Sequence, residues 1–136
     1  MKSFDIEQAK QAAEKIAKKH GLSFVALFGS QATGRTHEKS DIDIAVLAKE
    51  VIDFDVQTKI WGEFSDMFKR DDIEVVDLHG ATPTMMYVAA RDGKALYEDV
   101  AGRLVSWKLF AMREWRDTAW LRKLRDRKLL EWAKMA

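Results

Sequence analysis

FGSQATGRTHEKSDIDIAV, residues Phe28 to Val46, joins a Gly-Ser pair at the end of an apolar run to a segment in which two aspartates alternate with isoleucines. Residues two apart on a strand share a face, with Cα atoms roughly 6.5 Å apart. Asp41 and Asp43 therefore present carboxylates side by side, while Ile42 and Ile44 turn toward a core. Two like charges at that spacing repel, and one is driven toward its protonated form. A divalent cation reverses the sign of the interaction. Magnesium shares its oxygen shell between one or two carboxylates, waters and substrate phosphates. Two such ions about 4 Å apart activate an attacking oxygen and hold the leaving oxygen in line.

The other half of the stretch supplies a phosphate cradle. Gly29 allows a tight turn and close approach of backbone to a ligand. If residues 30–34 open a helical turn, their free N–H groups and the Ser30 hydroxyl can hold phosphate oxygens. Gly34 then releases the chain into RTHEKS, which leads to the aspartate strand. No G-x-x-x-x-G-K-[ST] or G-x-G-x-x-G motif competes for the same role.

Working outward, residues 4–19 repeat apolar positions at helical spacing and stop at Gly21, a helix-capping glycine. Phe24–Phe28 reads as a buried strand and Asp41–Ala48 as a second, with Ile42, Ile44 and Val46 on one face. A helix is predicted over Asp55–Arg70, a third strand over IEVVDL (residues 73–78), and a helix from Thr82-Pro83 to Gly93. Lys94–Glu98 reads as a short edge strand, and a helical pattern runs from about residue 100 to near the end. This order predicts an α/β (α+β) domain: a small mixed sheet covered by helices, then a helical tail. At 136 residues one domain is expected, divisible into a core, 1–102, and a tail, 103–136, packed on it or extending from it.

Charge separates those two parts. Residues 1–102 hold thirteen Lys/Arg against eighteen Asp/Glu, a net of −5, and residues 103–136 hold ten against four, a net of +6. Four of the five tryptophans, Trp107, Trp115, Trp120 and Trp132, lie in the basic tail. Such asymmetry suggests a partner-facing segment. A protein partner is favoured over nucleic acid, because basic residues with aromatics are by themselves a weak nucleic-acid signal. Cysteine is absent, which excludes disulfides and thiolate metal sites and fits a reducing compartment. No eighteen-residue apolar run and no signal-peptide pattern occur, so a cytoplasmic protein with no membrane role is expected.

GSQATGRTHEKSDIDIAV resembles the signature of the minimal nucleotidyltransferases, the MNT branch of the DNA polymerase beta-like superfamily: Gly-Ser, ten residues, then Asp-x-Asp. The likeness extends through IEVVDL, the following ATP segment, GKALYE and the helical tail. It implies a nucleotidyltransferase-like fold, ATP as substrate, two magnesium ions on Asp41 and Asp43, and Gly29 and Ser30 as the phosphate turn. Where the family often has arginine this chain has Thr33; Arg35, two positions on, is the candidate triphosphate contact. Stand-alone members are often antitoxins of HEPN-domain ribonuclease toxins, and some transfer AMP onto a toxin tyrosine. A toxin-neutralising module acting by contact alone, or nucleotidyl transfer to a small molecule such as an aminoglycoside, are the alternatives.

The resemblance also implies a third carboxylate on a neighbouring strand, to complete one metal site and accept the proton of the attacking hydroxyl. Alternation puts Glu74 with Val76 and Leu78, and Asp77 with Ile73 and Val75, so the apolar pattern leaves both open. Mid-strand placement and the family register favour Glu74 as metal ligand and catalytic residue. His20, His37 and His79 share no ligand spacing, and Tyr87 and Tyr97 are expected to pack.

Overall fold

The structure is a computed structural model describing residues 5–28 and 42–135. The first helix, α1 (Ile6–His20), starts where the Asp5 carboxylate accepts the N–H groups of Glu7 and Gln8, and ends at Gly21 with φ 68°. That left-handed conformation is open to glycine without a Cβ clash. Strands β1 (Leu22–Phe28) and β2 (Ile42–Ala48) follow, then helix α2 (Phe54–Phe68), capped by the Asp53 side chain. Strand β3 (Ile73–Asp77) leads through a single 3-10 turn, Leu78–Gly80, into α3 (Pro83–Asp92), which has Thr82 as its cap and proline in its first turn. Strand β4 (Lys94–Glu98) and helices α4 (Arg103–Asp117) and α5 (Ala119–Met135) complete the chain.

The sheet order is β3-β2-β1-β4. β1 runs antiparallel to both β2 and β4, whereas β2 and β3 are parallel. The sheet is therefore mixed, as expected, and β3 and β4 are its edges. Alternation divides its side chains between two cores. Val25, Leu27, Ile42, Ile44, Val46, Ile73 and Val75 meet α1 and α2, among them Ile16, Ile60 and Phe64. Phe24, Ala26, Phe28 and Ala45 face the other way and pack with α3 and α4 through Ala89, Ala90, Leu104 and Trp107. Burying a side chain such as Phe64 or Ile44 contributes about 1.5–3 kcal/mol each.

Two expectations change. The third strand ends at Asp77 rather than Leu78, because the Asp77 carboxylate accepts the N–H of His79 and turns the chain into the 3-10 segment. The tail is two helices broken at Thr118. Only α4 covers the sheet; α5 buries no residue at all. Thr118 Oγ1 donates to the Glu114 carbonyl at 2.7 Å, and Arg122 reaches back over the Trp115 ring at 3.3 Å and donates to the Trp115 carbonyl. Trp115 in turn stacks on Tyr87 of α3, with centroids 4.6 Å apart, so Tyr87 packs as anticipated. Beyond Arg122, α5 presents Leu124, Leu129, Leu130 and Trp132 to solvent. Among the described residues no helix is long and apolar enough to cross a membrane.

Candidate active site

Asp43 follows Ile42 at the start of β2, and its partner in the parallel ladder is Glu74. The neighbours confirm which way both point. Ile42 pairs with Ile73 and Ile44 with Val75 on the α1–α2 side, so Asp43 and Glu74 share the opposite face with Ala45 and Val76. Adjacent strands lie about 4.8 Å apart, which sets the Asp43 and Glu74 carboxylates side by side across the ladder. Asp43 is half-buried and Glu74 exposed. On its other side Asp43 pairs with Phe28, the residue immediately before Gly29. Gly29, Ser30, Arg35 and Asp41 lie outside the described residues, as do Thr33 and His37.

Asp77 sits elsewhere. It is on the α1–α2 face, 9% exposed, and its two oxygens accept the N–H groups of Ile52 at 3.1 Å and His79 at 3.0 Å. Those bonds close the β2–α2 connection and the turn after β3. Its carboxylate is thus committed to backbone, on the side of the sheet away from Asp43. His79 Nε2 donates to the Ala48 carbonyl, 2.7 Å away, and His20 Nε2 meets the Glu63 carboxylate at 3.1 Å. Both histidines join elements rather than converge on Asp43.

Two positioning groups had no sequence signal. The Asp72 carbonyl accepts the N–H of Ile42 at 3.0 Å, which ties the start of β2 to the start of β3 and fixes the Asp43–Glu74 register. Arg70 grips both Asp72 carboxylate oxygens. Its guanidinium holds the Asp72 carboxyl below the usual carboxylate range, against the smaller upward push of burial. The second pair lies on α2. Trp61 Nε1 donates to the Ile73 carbonyl at 2.7 Å and Gln57 Nε2 to the Val75 carbonyl at 2.9 Å. They satisfy outward groups of β3 that an edge strand otherwise leaves open. Between them, Phe54, Thr58, Trp61 and the Glu74 edge line a groove of about 360 Å³.

The donor set suits a hard cation, since carboxylate oxygens are what magnesium takes. Among the described residues no three Asp, Glu, His or Cys side chains group closely enough to hold a metal ion. Asp43 and Glu74 make a pair on one face of the sheet.

Known proteins share this architecture. A crystal structure of a toxin–antitoxin with AMP-PNP superposes with a TM-score of 0.75 at 23% identity, covering 88% of this chain and 98% of that one. A structure of the tri-AMPylated Shewanella oneidensis HEPN toxin in complex with MNT antitoxin gives 0.72 at 20% identity, covering 92% and 99%. At those identities the likeness is one of fold. In sequence, the protein adenylyltransferase MntA of Aphanizomenon flos-aquae is 37% identical over 57% of this chain and 58% of its own length. The MntA of Shewanella oneidensis is 33% identical over 56% and 54%. The chain thus spans little more than half the length of these curated relatives. Residues 10–100, two thirds of the chain, match the family described as Polymerase beta, Nucleotidyltransferase, and the chain belongs to that family.

Proposed function

We propose that this chain is a magnesium-dependent protein adenylyltransferase that moves AMP from ATP onto a hydroxyl of a partner, most simply a tyrosine of a HEPN ribonuclease toxin, and so acts as an antitoxin in the cytoplasm. The observation that carries the reading is the register of Asp43 with Glu74 on one sheet face, beside the β1 end from which Gly29 and Ser30 follow. The MntA relatives, named protein adenylyltransferases, support the reaction type. The AMPylated HEPN complex of the similar fold supports the acceptor class.

In this reading the acceptor oxygen attacks the α-phosphorus of ATP. A new P–O bond forms, the bond from the α-phosphorus to the bridging oxygen breaks, and pyrophosphate leaves with that oxygen. Glu74 takes the proton from the attacking hydroxyl. Asp41, Asp43 and Glu74 are the carboxylates that would hold magnesium, two ions in all, and the metal when bound supplies charge neutralisation on the transferring group. Gly29 and Ser30 orient the phosphates and Arg35 contacts the triphosphate. Residues 1–102 form the catalytic core, and the exposed part of 103–136, above all α5, meets the protein partner. Exposed Trp120 and Trp132 beside Arg125 and Lys128 suit that role.

The test is incubation with α-labelled ATP, magnesium and the product of the neighbouring gene, where that is a HEPN-type protein, repeated with Asp41→Asn and Asp43→Asn. Label on the partner that both substitutions abolish is the expected result. An unlabelled partner that is still neutralised by both variants would mean neutralisation by contact alone.

A further inference from the structure

Helix α5 buries no residue, yet its start is held in place. At Thr118 ψ is 7°, far from the helical value of about −42°, so α4 stops there and its last carbonyls lose their intrahelical partners. The Thr118 N–H and hydroxyl both donate to the Glu114 carbonyl, at 3.0 and 2.7 Å. Arg122, in the first turn of α5, folds back over the break. Its Nη1 donates to Thr118 Oγ1 at 2.9 Å and its Nη2 to the Trp115 carbonyl at 2.6 Å. A cation at the C-terminal end of α4 also suits the helix dipole.

The same guanidinium lies over the Trp115 ring, 3.3 Å from its centroid. Trp115 stacks on Tyr87 of α3 at 4.6 Å, and the Arg91 guanidinium is 5.8 Å from the Tyr87 centroid. Arg91, Tyr87, Trp115 and Arg122 thus form a ladder of cations and rings that links α3, α4 and α5. Among the described residues, every other side-chain hydrogen bond or ion pair of α5 stays within the helix. A helix that packs nothing into the core gains no core stability from one fixed direction. Fixing it costs the freedom of long side chains. A helix aimed in advance does, however, lower the ordering cost of docking. We infer that Arg122 is a positioning residue: it sets the angle between α4 and α5, so that the partner meets α5 already aimed. The inference rests on the reading that α5 meets the partner protein, and adds to it what aims the helix.

The chain has no cysteine, so spin labels at Lys59→Cys on α2 and Lys134→Cys on α5, both exposed, read the angle in the full chain. Distance measurement between them should give one narrow distribution with Arg122 in place. Arg122→Ala should broaden it about two-fold or more with far-UV helix content unchanged; Arg122→Lys, which keeps the charge without the flat stack, should fall between. Unlabelled chains are then titrated with the HEPN-type product of the neighbouring gene. Arg122→Ala should raise Kd and the acceptor KM about ten-fold, while kcat at saturating acceptor and ATP affinity stay within about two-fold. Lys15→Ala, which removes a charge on α1 across the sheet from α4, should match the parent. Equal widths in the parent and Arg122→Ala overturn the inference. So does a broadened distribution with parent-like Kd and KM, which would leave Arg122 a helix cap and the adenylyltransferase reading intact. Loss of helix content in both Arg122 variants overturns it as well, because Arg122 would then hold α5 together rather than aim it. A parent chain that neither binds nor labels that protein overturns both the inference and the reading.

Discussion

Glu74 stands opposite Asp43 in the parallel β2–β3 ladder, on the same face of the sheet. Asp77, three residues further along, points to the other face and spends its carboxylate on two backbone N–H groups. The two acids of one short strand are therefore separable by experiment. Glu74→Gln should lower nucleotidyl transfer by about 10²–10⁴-fold, the usual loss for a proton acceptor, with the melting temperature unchanged because the residue is exposed. Asp77→Ala should do the reverse. It leaves the Ile52 and His79 N–H groups unpaired at a cost of about 2–4 kcal/mol in all, while the activity of the folded fraction persists. Chemical denaturation and initial rates on both variants decide it; the opposite pattern would reassign the third carboxylate.

Lys69 closes α2 at φ 55°, a left-handed conformation that a side chain with a Cβ rarely takes. Lys69→Gly should relieve it and stabilise the chain by about 0.5–1 kcal/mol, the gain being offset in part by the looser unfolded chain of glycine. A rise in denaturation midpoint is the readout.

The Arg70–Asp72 clamp predicts a pH dependence of defined sign. The folded-state pKa of Asp72 is lowered, so its contribution is fully present above the unfolded-state value of about 3.9 and is lost as pH falls through the lower folded-state value. Asp72→Asn should therefore be less stable than the parent by about 1 kcal/mol at neutral pH, a modest figure because the pair is partly exposed. The gap should narrow only in strongly acidic solution. A gap that widens toward low pH would contradict the assignment. Because the Asp72 carbonyl pins Ile42, the same variant should also reduce transfer if the clamp sets the Asp43–Glu74 register.

Helix α5 contributes almost nothing to the core. Deleting residues 124–136, which keeps the Arg122 contact with Trp115, should leave the melting temperature within about 2 °C of the parent. The truncated chain should keep its ATP affinity but lose its complex with the partner protein in gel filtration. A large loss of stability would show that α5 is structural instead.

Local signals in the sequence determined most of the elements. Gly21, the Thr82-Pro83 start and the period-2 run of Ile42, Ile44 and Val46 each act over a few residues, so each could be read without neighbours. The Asp-x-Asp pair and the Gly-Ser pair are patterns of spacing and could be read the same way, although Gly29, Ser30 and Asp41 lie outside the described residues. Glu74 against Asp77 was not, since both faces of IEVVD carry apolar residues and alternation alone cannot say which face meets Asp43. Only the parallel register decided where each side chain points, and that register depends on a hydrogen bond from Ile42 to Asp72, thirty residues away. The break at Thr118 and the groove beside β3 were hidden likewise: helical periodicity runs unbroken through Trp115 and Trp120, and Trp61 and Gln57 find their acceptors on another element. Tertiary packing supplied what spacing could not, because it alone says what each face of a strand or helix is set against.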